Sequence, residues 1–329
     1  MHAWILDESP GTYRWGEIDV PQPGPDDVRV APRVSALNHM DLWLTRGQPR
    51  PTLPHVPGCD VAGVVESVGS NVTGLAPGDE VVLNPAVSPV ADIVALGNDA
   101  PLGPGFQILG EQRWGGHADL VVVPARNALP RPAVRSWEEC AAYPLATLTA
   151  WRMLRRARLT AGETLLVVGV GGGVASAALA LGLHLGAEVF VTSTSADKRE
   201  QALARGAHGA FASDESWPVR AHVVVETVGP ATWASSTRAL RPGGRMVVAG
   251  GTSGQEVTLS LPRLFFKQHE IIGSTMGSYE EFAEVTRLVA QGLPIFVDRA
   301  FSLDEYPAAL EHLRAARHFG NVVLTHPTP

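Results

Sequence analysis

Three stretches hold residues whose types and spacing suit chemistry. The first, HVPGCDVAGVV at 55–65, sets one of only two cysteines, Cys59, beside Asp60, between a Pro-Gly turn and an apolar run. A thiol next to a carboxylate raises the question of a metal, because both groups ligate zinc. The second, LNHMD at 37–41, carries His39, whose side-chain type has an ordinary pKa near neutrality and can exchange a proton in a reaction. The third is the cluster Gly169, Val170, Gly171, Gly172, Gly173 and Val174, which follows the apolar run LLVV and precedes a second apolar run. That context gives the glycines a purpose. They let the chain turn sharply, bring backbone N–H groups against a pyrophosphate and seat a helix N-terminus behind it.

A dinucleotide site for NAD usually ends its next strand in Asp or Glu, which bonds the ribose 2′-hydroxyl. Here the run EVFVTSTSADKRE ends in Thr192, Ser193 and Thr194, with no acid. Small hydroxyl residues leave room for a 2′-phosphate, and Lys198 and Arg199 stand one turn later to neutralise it. The reading is NADPH; the alternative for Lys198 and Arg199 is a solvated helix face.

Elements of two kinds must position these residues. Up to about Pro124 the chain is rich in Pro and Gly and reads as short strands, such as DDVRVAPRVSAL, VAGVVESVG and DEVVLNP. From about Glu138 helix and strand alternate: WEECAAYPLATLTAWRMLRRA, TLLVVG, VASAALALGLHLG, EVFVTS, ADKREQALARG, AHVVVETVG and RMVVAGG. Such alternation gives a parallel sheet covered by helices. SYEEFAEVTRLVAQG reads as the helix that closes this region, the tail 296–324 adds two strands around one helix, and 85–105, with its prolines and glycines, reads as a long surface loop.

Composition bounds the partners. A net charge of -7 argues against nucleic acid and leaves a small-molecule substrate as the expectation. The segment 165–187 carries no Lys, Arg, Asp or Glu, but its glycines read as strand, turn and buried helix, so no membrane span is expected. Two cysteines without a framework, and a start lacking the basic and apolar blocks of a signal peptide, point to a cytoplasmic protein.

Taken in order, PGCDVAGVVESVG, GDEVVLNP, ILGEQRWGGHADLVVVP, LTAW, GVGGGVASAALALGLHLGAEV, LRPGGRMVVAGGTSG and IIGSTMG resemble the medium-chain dehydrogenase/reductase superfamily over nearly the whole chain. The resemblance implies an α/β fold: a GroES-like β lobe at 1–125 completed by 293–329, and a Rossmann doubly wound parallel sheet at 126–292. It also implies an active site in the cleft and a homodimer or homotetramer joined through the Rossmann lobe.

Zinc members of the family hold a catalytic metal on Cys, on a His-Glu pair and on a second Cys four residues before a Thr. This chain has Asn38, Cys59 with Asp60, and Leu145 at those places. The four structural-zinc cysteines are replaced by Pro89, Asp92, Ala95 and Gly103. Catalytic zinc needs three protein ligands plus water, so no zinc is expected, and Cys59 reads as a small buried thiol at a vacated site. A makeshift site from His39, Cys59 and Asp60 stays open as the alternative. The loop at 85–105 keeps the length of zinc members, which suggests a lineage that lost its metal. Asn38 with Asp41 three residues on, and PGCDVAGVV, match the zinc-free quinone oxidoreductases. His39 where Pro is usual on that side, and Asn321 where Lys is frequent, depart from them.

Without a Lewis acid an activated acceptor fits better than an alcohol. The expected activity is hydride transfer from NADPH to a quinone or an α,β-unsaturated carbonyl compound, with Asn38 as donor to the substrate oxygen, His39 as proton donor, and Asp41 beside them. By resemblance Thr149, Val228, Gly250, Ser274, Thr275 and Asn321 join Gly169, Gly171, Gly172, Gly173, Val174, Ser193, Thr194 and Lys198 around the cofactor. Two rival readings are an alcohol dehydrogenase with an atypical metal site and an NADPH-binding protein without turnover.

Overall fold

The computed structural model describes residues 1–327. It divides into two compact units, one made of 1–145 with 277–329 and one of 146–276. This division lies at 145/146 and 276/277, beside the expected domain boundaries at 125/126 and 292/293. The helix Trp137–Ala142 packs on the strands Asp27–Ala36 and Asp60–Val68. The helix Tyr279–Ala290 is tied to the same unit: Tyr143 Oη and Thr286 Oγ1 are 3.0 Å apart, and the Arg135 guanidinium donates to the carbonyls of Val289 and Leu293 at 2.9 Å.

In the first unit the main sheet runs Val297–Ser302, Asn321–Thr325, Asp27–Ala36, Asp60–Val68, Glu80–Leu83 and Ala128–Pro130, with Val121–Pro124 also paired to Asp27–Ala36. The strand Asp27–Ala36 alternates buried and part-exposed residues, sending Val28, Val30 and Val34 inward. That period of two is what lets one face of a sheet seal a core. The tail enters this sheet as the expected strand, helix and strand.

The second unit is an all-parallel sheet of Gly209–Ala212, Glu188–Ser193, Thr164–Val167, Ala221–Glu226, Leu240–Val248 and Glu270–Gly273, in that spatial order. Numbered along the chain this is 3-2-1-4-5-6, the doubly wound order whose ligand crevice lies at the carboxyl ends where the order reverses. The helix Gly173–His184 is buried from Ala175 to Gly182, which explains a sequence apolar enough to imitate a membrane span. Gly182 lets it sit close to the sheet, since a Cβ there would fall 2.5 Å from Leu165 Cδ2. Among the described residues no helix is long and apolar enough to cross a membrane.

Two expected elements differ. WEECAAYPLATLTAWRMLRRA is broken into helices Trp137–Ala142 and Pro144–Arg156, because Pro144 has no N–H to continue the first ladder. The segment 85–105 is not a loop throughout but a short strand Ala86–Val87, a helix Val90–Leu96 and a 3₁₀ turn Gly97–Leu102. Its turn is held by Asp92, whose Oδ2 accepts from Gly105 N at 3.1 Å.

Candidate active site

The residues expected at the cofactor lie in the second unit, Asn321 apart. The strand Thr164–Val167 runs through Gly169 (φ 75°) and Gly171 (φ 134°) into the helix Gly173–His184, whose N-cap is Gly172. Both positive φ values fall where glycine alone is unstrained. The turn is pinned to the next strand by Thr192, whose Oγ1 accepts from Gly169 N at 3.1 Å and whose carbonyl accepts from Val170 N at 2.8 Å. No side chain caps the first helical turn, and a Cβ on Gly172 would meet nothing within 4 Å. The helix therefore presents donors and a positive dipole end to open space, as an anion requires.

Of the residues expected at the cofactor, Val228 and Lys198 lie against this turn. A Cβ on Gly169 would lie 2.6 Å from Val228 Cγ2, and one on Gly250 would lie 3.2 Å from the Thr227 carbonyl. Ser274 donates its N–H to the Val248 carbonyl at 2.9 Å, while Thr275 is exposed beside it. Thr149 is buried, with its hydroxyl 4.0 Å from Met276 Sδ. Lys198 is buried and its Nζ lies 2.6 Å from where a Gly171 Cβ would stand, so the ammonium sits against the glycine turn. Ser193 is buried with its Oγ accepting from Ser195 N, Thr194 is exposed, and Arg199 donates to the Ser193 carbonyl at 2.8 Å. Asn321 lies in the other unit, at the start of the strand Asn321–Thr325.

One cofactor-side residue escaped the sequence reading. Glu226, fully buried at the end of Ala221–Glu226, accepts from Val228 N at 2.7 Å, Gly229 N at 3.0 Å, Thr232 Oγ1 at 2.9 Å and the Ser236 hydroxyl. It fixes the loop that carries Val228. The signal was an acid closing the apolar run VVVE.

The first unit holds the residues read as catalytic. Asn38 precedes the helix His39–Leu44 and donates its Nδ2 hydrogen to Asp60 Oδ2 at 2.8 Å, while its backbone N–H goes to Asp41 Oδ2 at 2.7 Å. The other Asp60 oxygen accepts from Leu145 N at 2.7 Å. Thus the three places at which zinc members carry ligands are joined by hydrogen bonds instead. Burial pushes the Asp60 carboxyl up to about 7, against the pull of its two donors. Burial also pushes the Cys59 thiol well up, aided by Asp41 and Asp60, so it rests as a neutral thiol. His39 is partly exposed, with its ring 6.0 Å from Trp43 and 6.5 Å from His318.

Zinc does not fit this donor set. Leu145 offers no ligand atom in its side chain, and both Asp60 oxygens are engaged. Among the described residues no three His, Cys, Asp or Glu form a group able to hold a metal ion, and His39, Cys59 and Asp60 do not make one. At the structural-zinc positions Pro89 and Ala95 have no donor side chain, and Asp92 is spent on Gly105.

Asp41, buried in the helix His39–Leu44, is the centre of further contacts that spacing could not reveal. Its Oδ1 accepts from Tyr306 Oη at 3.0 Å and lies 3.2 Å from His117 Nε2, and its carbonyl accepts from Tyr13 Oη at 2.9 Å. His117, Ser35 and His326 extend the line.

Comparison with known proteins agrees with both units. Residues 24–133 match the alcohol dehydrogenase GroES-like domain and 173–291 match the zinc-binding dehydrogenase family. The chain is 32% identical over 330 residues to a zinc-type alcohol dehydrogenase-like protein of Schizosaccharomyces pombe, covering 94% of this chain and 93% of that one. It is 31% identical to the acryloyl-coenzyme A reductase of Metallosphaera sedula, over 99% of this chain and 100% of that one. Among solved structures an NAD-dependent alcohol dehydrogenase superposes with a TM-score of 0.93 at 38% identity, over 99% of both chains. A 2-octenoyl-CoA carboxylase reductase in complex with NADP and 2-octenoyl-CoA gives 0.89 at 28%, over 96% of this chain and 82% of that one. The glycine turn at a 3-2-1-4-5-6 switch point, the β unit completed by the tail and these likenesses lead to one conclusion: the chain belongs to the medium-chain dehydrogenase/reductase superfamily and is one of its oxidoreductases.

Proposed function

We propose that this oxidoreductase is a zinc-independent reductase that uses NADPH to reduce a quinone or an α,β-unsaturated carbonyl compound. The observation that carries the reading is the Asn38–Asp60–Leu145 network, which fills with hydrogen bonds the place where relatives carry metal ligands. The acryloyl-coenzyme A reductase and the 2-octenoyl-CoA structure with NADP support the same class of substrate.

When bound, NADPH supplies the hydride and leaves as NADP⁺. The residues of this chain do the rest. The glycine turn and Lys198, which the sequence reading put at the 2′-phosphate but which lies against that turn, hold the pyrophosphate, and the strand end Thr192, Ser193 and Thr194 carries no acid, which leaves room for the 2′-phosphate. Asn38, its amide oriented by Asp60, donates to the substrate oxygen as negative charge gathers there. His39 supplies the proton that completes the reduced product. For an enone, hydride at the β carbon and a proton at the α carbon balance the reaction; for a quinone, both oxygens end protonated.

The assembly we propose is a homodimer through the second unit, whose edge strand Glu270–Gly273 and neighbouring helix leave Leu261, Phe265 and Phe266 exposed. Two free, buried thiols, Cys59 and Cys140, suit a cytoplasmic setting. The test is NADPH and NADH oxidation against a panel of quinones and enones, with metal content measured on chelator-free protein. Oxidation of NADPH without bound zinc supports the reading. Chelator-sensitive alcohol oxidation with about one zinc per chain, or tight NADPH binding with no turnover, would replace it.

A further inference from the structure

The second unit contains a cavity of about 870 Å³ whose walls include Arg220, Arg238, Arg263 and Lys267. Arg220 leads into the strand Ala221–Glu226, Arg238 sits in the last turn of the helix Pro230–Ala239, Arg263 belongs to the short helix Leu261–Phe266, and Lys267 follows it. Leu240, which starts the strand Leu240–Val248, and His269, which directly precedes Glu270–Gly273, line the same space. The cavity therefore lies at the amino ends of these strands. The glycine turn follows the carboxyl end of Thr164–Val167 in the same parallel sheet. A strand such as Ala221–Glu226, about 20 Å long, separates the two ends, so this is a second site and not an arm of the cofactor crevice.

Charge sets the cavity apart. The chain carries -7 overall, yet here four cations face two exposed carboxylates, Asp214 and Glu215. Among the described residues none of the four is paired with a carboxylate, whereas Arg29, Arg131 and Arg158 bind Glu66, Glu80 and Glu270. Arg238 donates to Ser235 Oγ at 2.8 Å, and Arg220 reaches only the carbonyls of Val219 and Arg238, at 3.3 and 3.4 Å. Burial lowers the His269 imidazole below its ordinary value, and the nearby charges of Arg263 and Lys267 lower it further. The positive charge is uncompensated and lacks an anion.

A smaller cavity of about 290 Å³ shares Arg238, Arg263 and His269 as walls and continues with Leu259, Leu264 and Ile271. Trp233 lines it and is 8% exposed, and its Nε1–H has no hydrogen-bond partner. A buried donor left unpaired costs free energy until an acceptor arrives. The two spaces thus ask for different groups in one ligand. Guanidinium forks match phosphate oxygens, and an apolar wall with one free donor matches a flat heterocycle that carries ring acceptors.

We propose that the two cavities form one binding site for a nucleoside polyphosphate, with its phosphates on Arg220, Arg238, Arg263 and Lys267 and its base in the smaller cavity against Trp233. Binding there rests on none of the reductase chemistry. Phe266 also lines the larger cavity but belongs to the proposed dimer face and is assigned no ligand contact.

The test uses full-length protein saturated with NADPH, so that the cofactor crevice is filled. Calorimetric titration with ATP, and separately with inorganic triphosphate, is run while NADPH fluorescence is followed. ATP is expected to bind at a single site per chain without displacing NADPH, and triphosphate to bind more weakly. Arg220→Glu and Arg238→Glu should each weaken both probes by about tenfold or more. Arg299→Glu, on the exposed strand Val297–Ser302 of the other unit, should change neither. Trp233→Phe keeps an aromatic ring and removes the donor, so it should weaken ATP about fivefold and leave triphosphate as it was. No binding of either probe, binding indifferent to both arginine variants, or ATP that displaces NADPH would overturn the site. Triphosphate binding as tightly as ATP, with no effect of Trp233→Phe, would overturn the assignment of the base. If NADPH fails to saturate the protein, the two arginine variants still decide, because they lie at the far end of the sheet from the glycine turn, so this reading and the reductase reading fail separately.

Discussion

Asn38 Nδ2 and Asp60 Oδ2 are hydrogen-bonded at 2.8 Å, and Leu145 N completes the bridge to the other Asp60 oxygen at 2.7 Å. This bridge joins segments far apart in the chain. A buried carboxyl that titrates near neutrality beside a proposed substrate donor has consequences for pH.

The Asp60 carboxyl is raised to about 7 from an unfolded value of about 4. A raised folded value means that the stability of the neutral form is present at low pH and is lost as pH rises through about 7. Wild-type protein should therefore melt at lower temperature at pH 8.5 than at pH 6, by several degrees, while Asp60→Asn flattens that slope. The measurement is thermal unfolding across the range. Turnover should fall in the same window, since ionised Asp60 opposes the negative charge gathering on the substrate oxygen.

Asn38→Ala removes the proposed donor at a partly exposed position. Loss of a hydrogen bond aimed at developing charge costs roughly 10²–10³ in kcat. Steady-state kinetics should show that loss without a matching rise in KM for NADPH; a rise in cofactor KM alone would place Asn38 elsewhere in the reaction.

Lys198 lies against the glycine turn, so Lys198→Ala should weaken NADPH and NADH alike, by about tenfold in Kd, or roughly 1.4 kcal/mol. Thr194→Asp should instead reverse preference toward NADH, because an acid there meets the 2′-phosphate. Fluorescence titration with both cofactors separates a pyrophosphate role from a 2′-phosphate role.

Glu226 gathers two backbone N–H groups and two hydroxyls in a fully buried place. Glu226→Gln puts an amide NH₂ among donors and should cost about 2–3 kcal/mol, read by urea unfolding. Cofactor affinity should drop with it, since the loop bearing Val228 loses its anchor.

The exposed Phe265 and Phe266, with ring centroids 4.5 Å apart, form the apolar part of the proposed dimer face. Phe266→Glu should give monomers in sedimentation experiments at micromolar concentration. Persistence of the wild-type mass would place the interface elsewhere.

The sequence by itself determined the α/β class, the cofactor turn and the absence of zinc ligands, because each rests on local chemistry. A strand, three glycines and an apolar helix are adjacent in the chain, and a missing cysteine is visible as a letter. The same locality explains its errors: Pro144 splits a helix, and Asp92 folds a supposed loop through one short-range bond to Gly105. Only the tertiary structure decided what stands where zinc members of the family carry ligands. Asp60 meets Leu145 across 85 positions, and Asp41 meets Tyr306 across 265. His117 reaches Ser35 across 82 positions, and Ser35 reaches His326 across 291. Such pairs have no spacing signature, since a sheet that brings the tail beside Asp27–Ala36 sets their distances. Burial did the rest: the Asp60 carboxyl, the Cys59 thiol and the His326 imidazole take the protonation states that their surroundings allow, and surroundings exist only once the chain is folded.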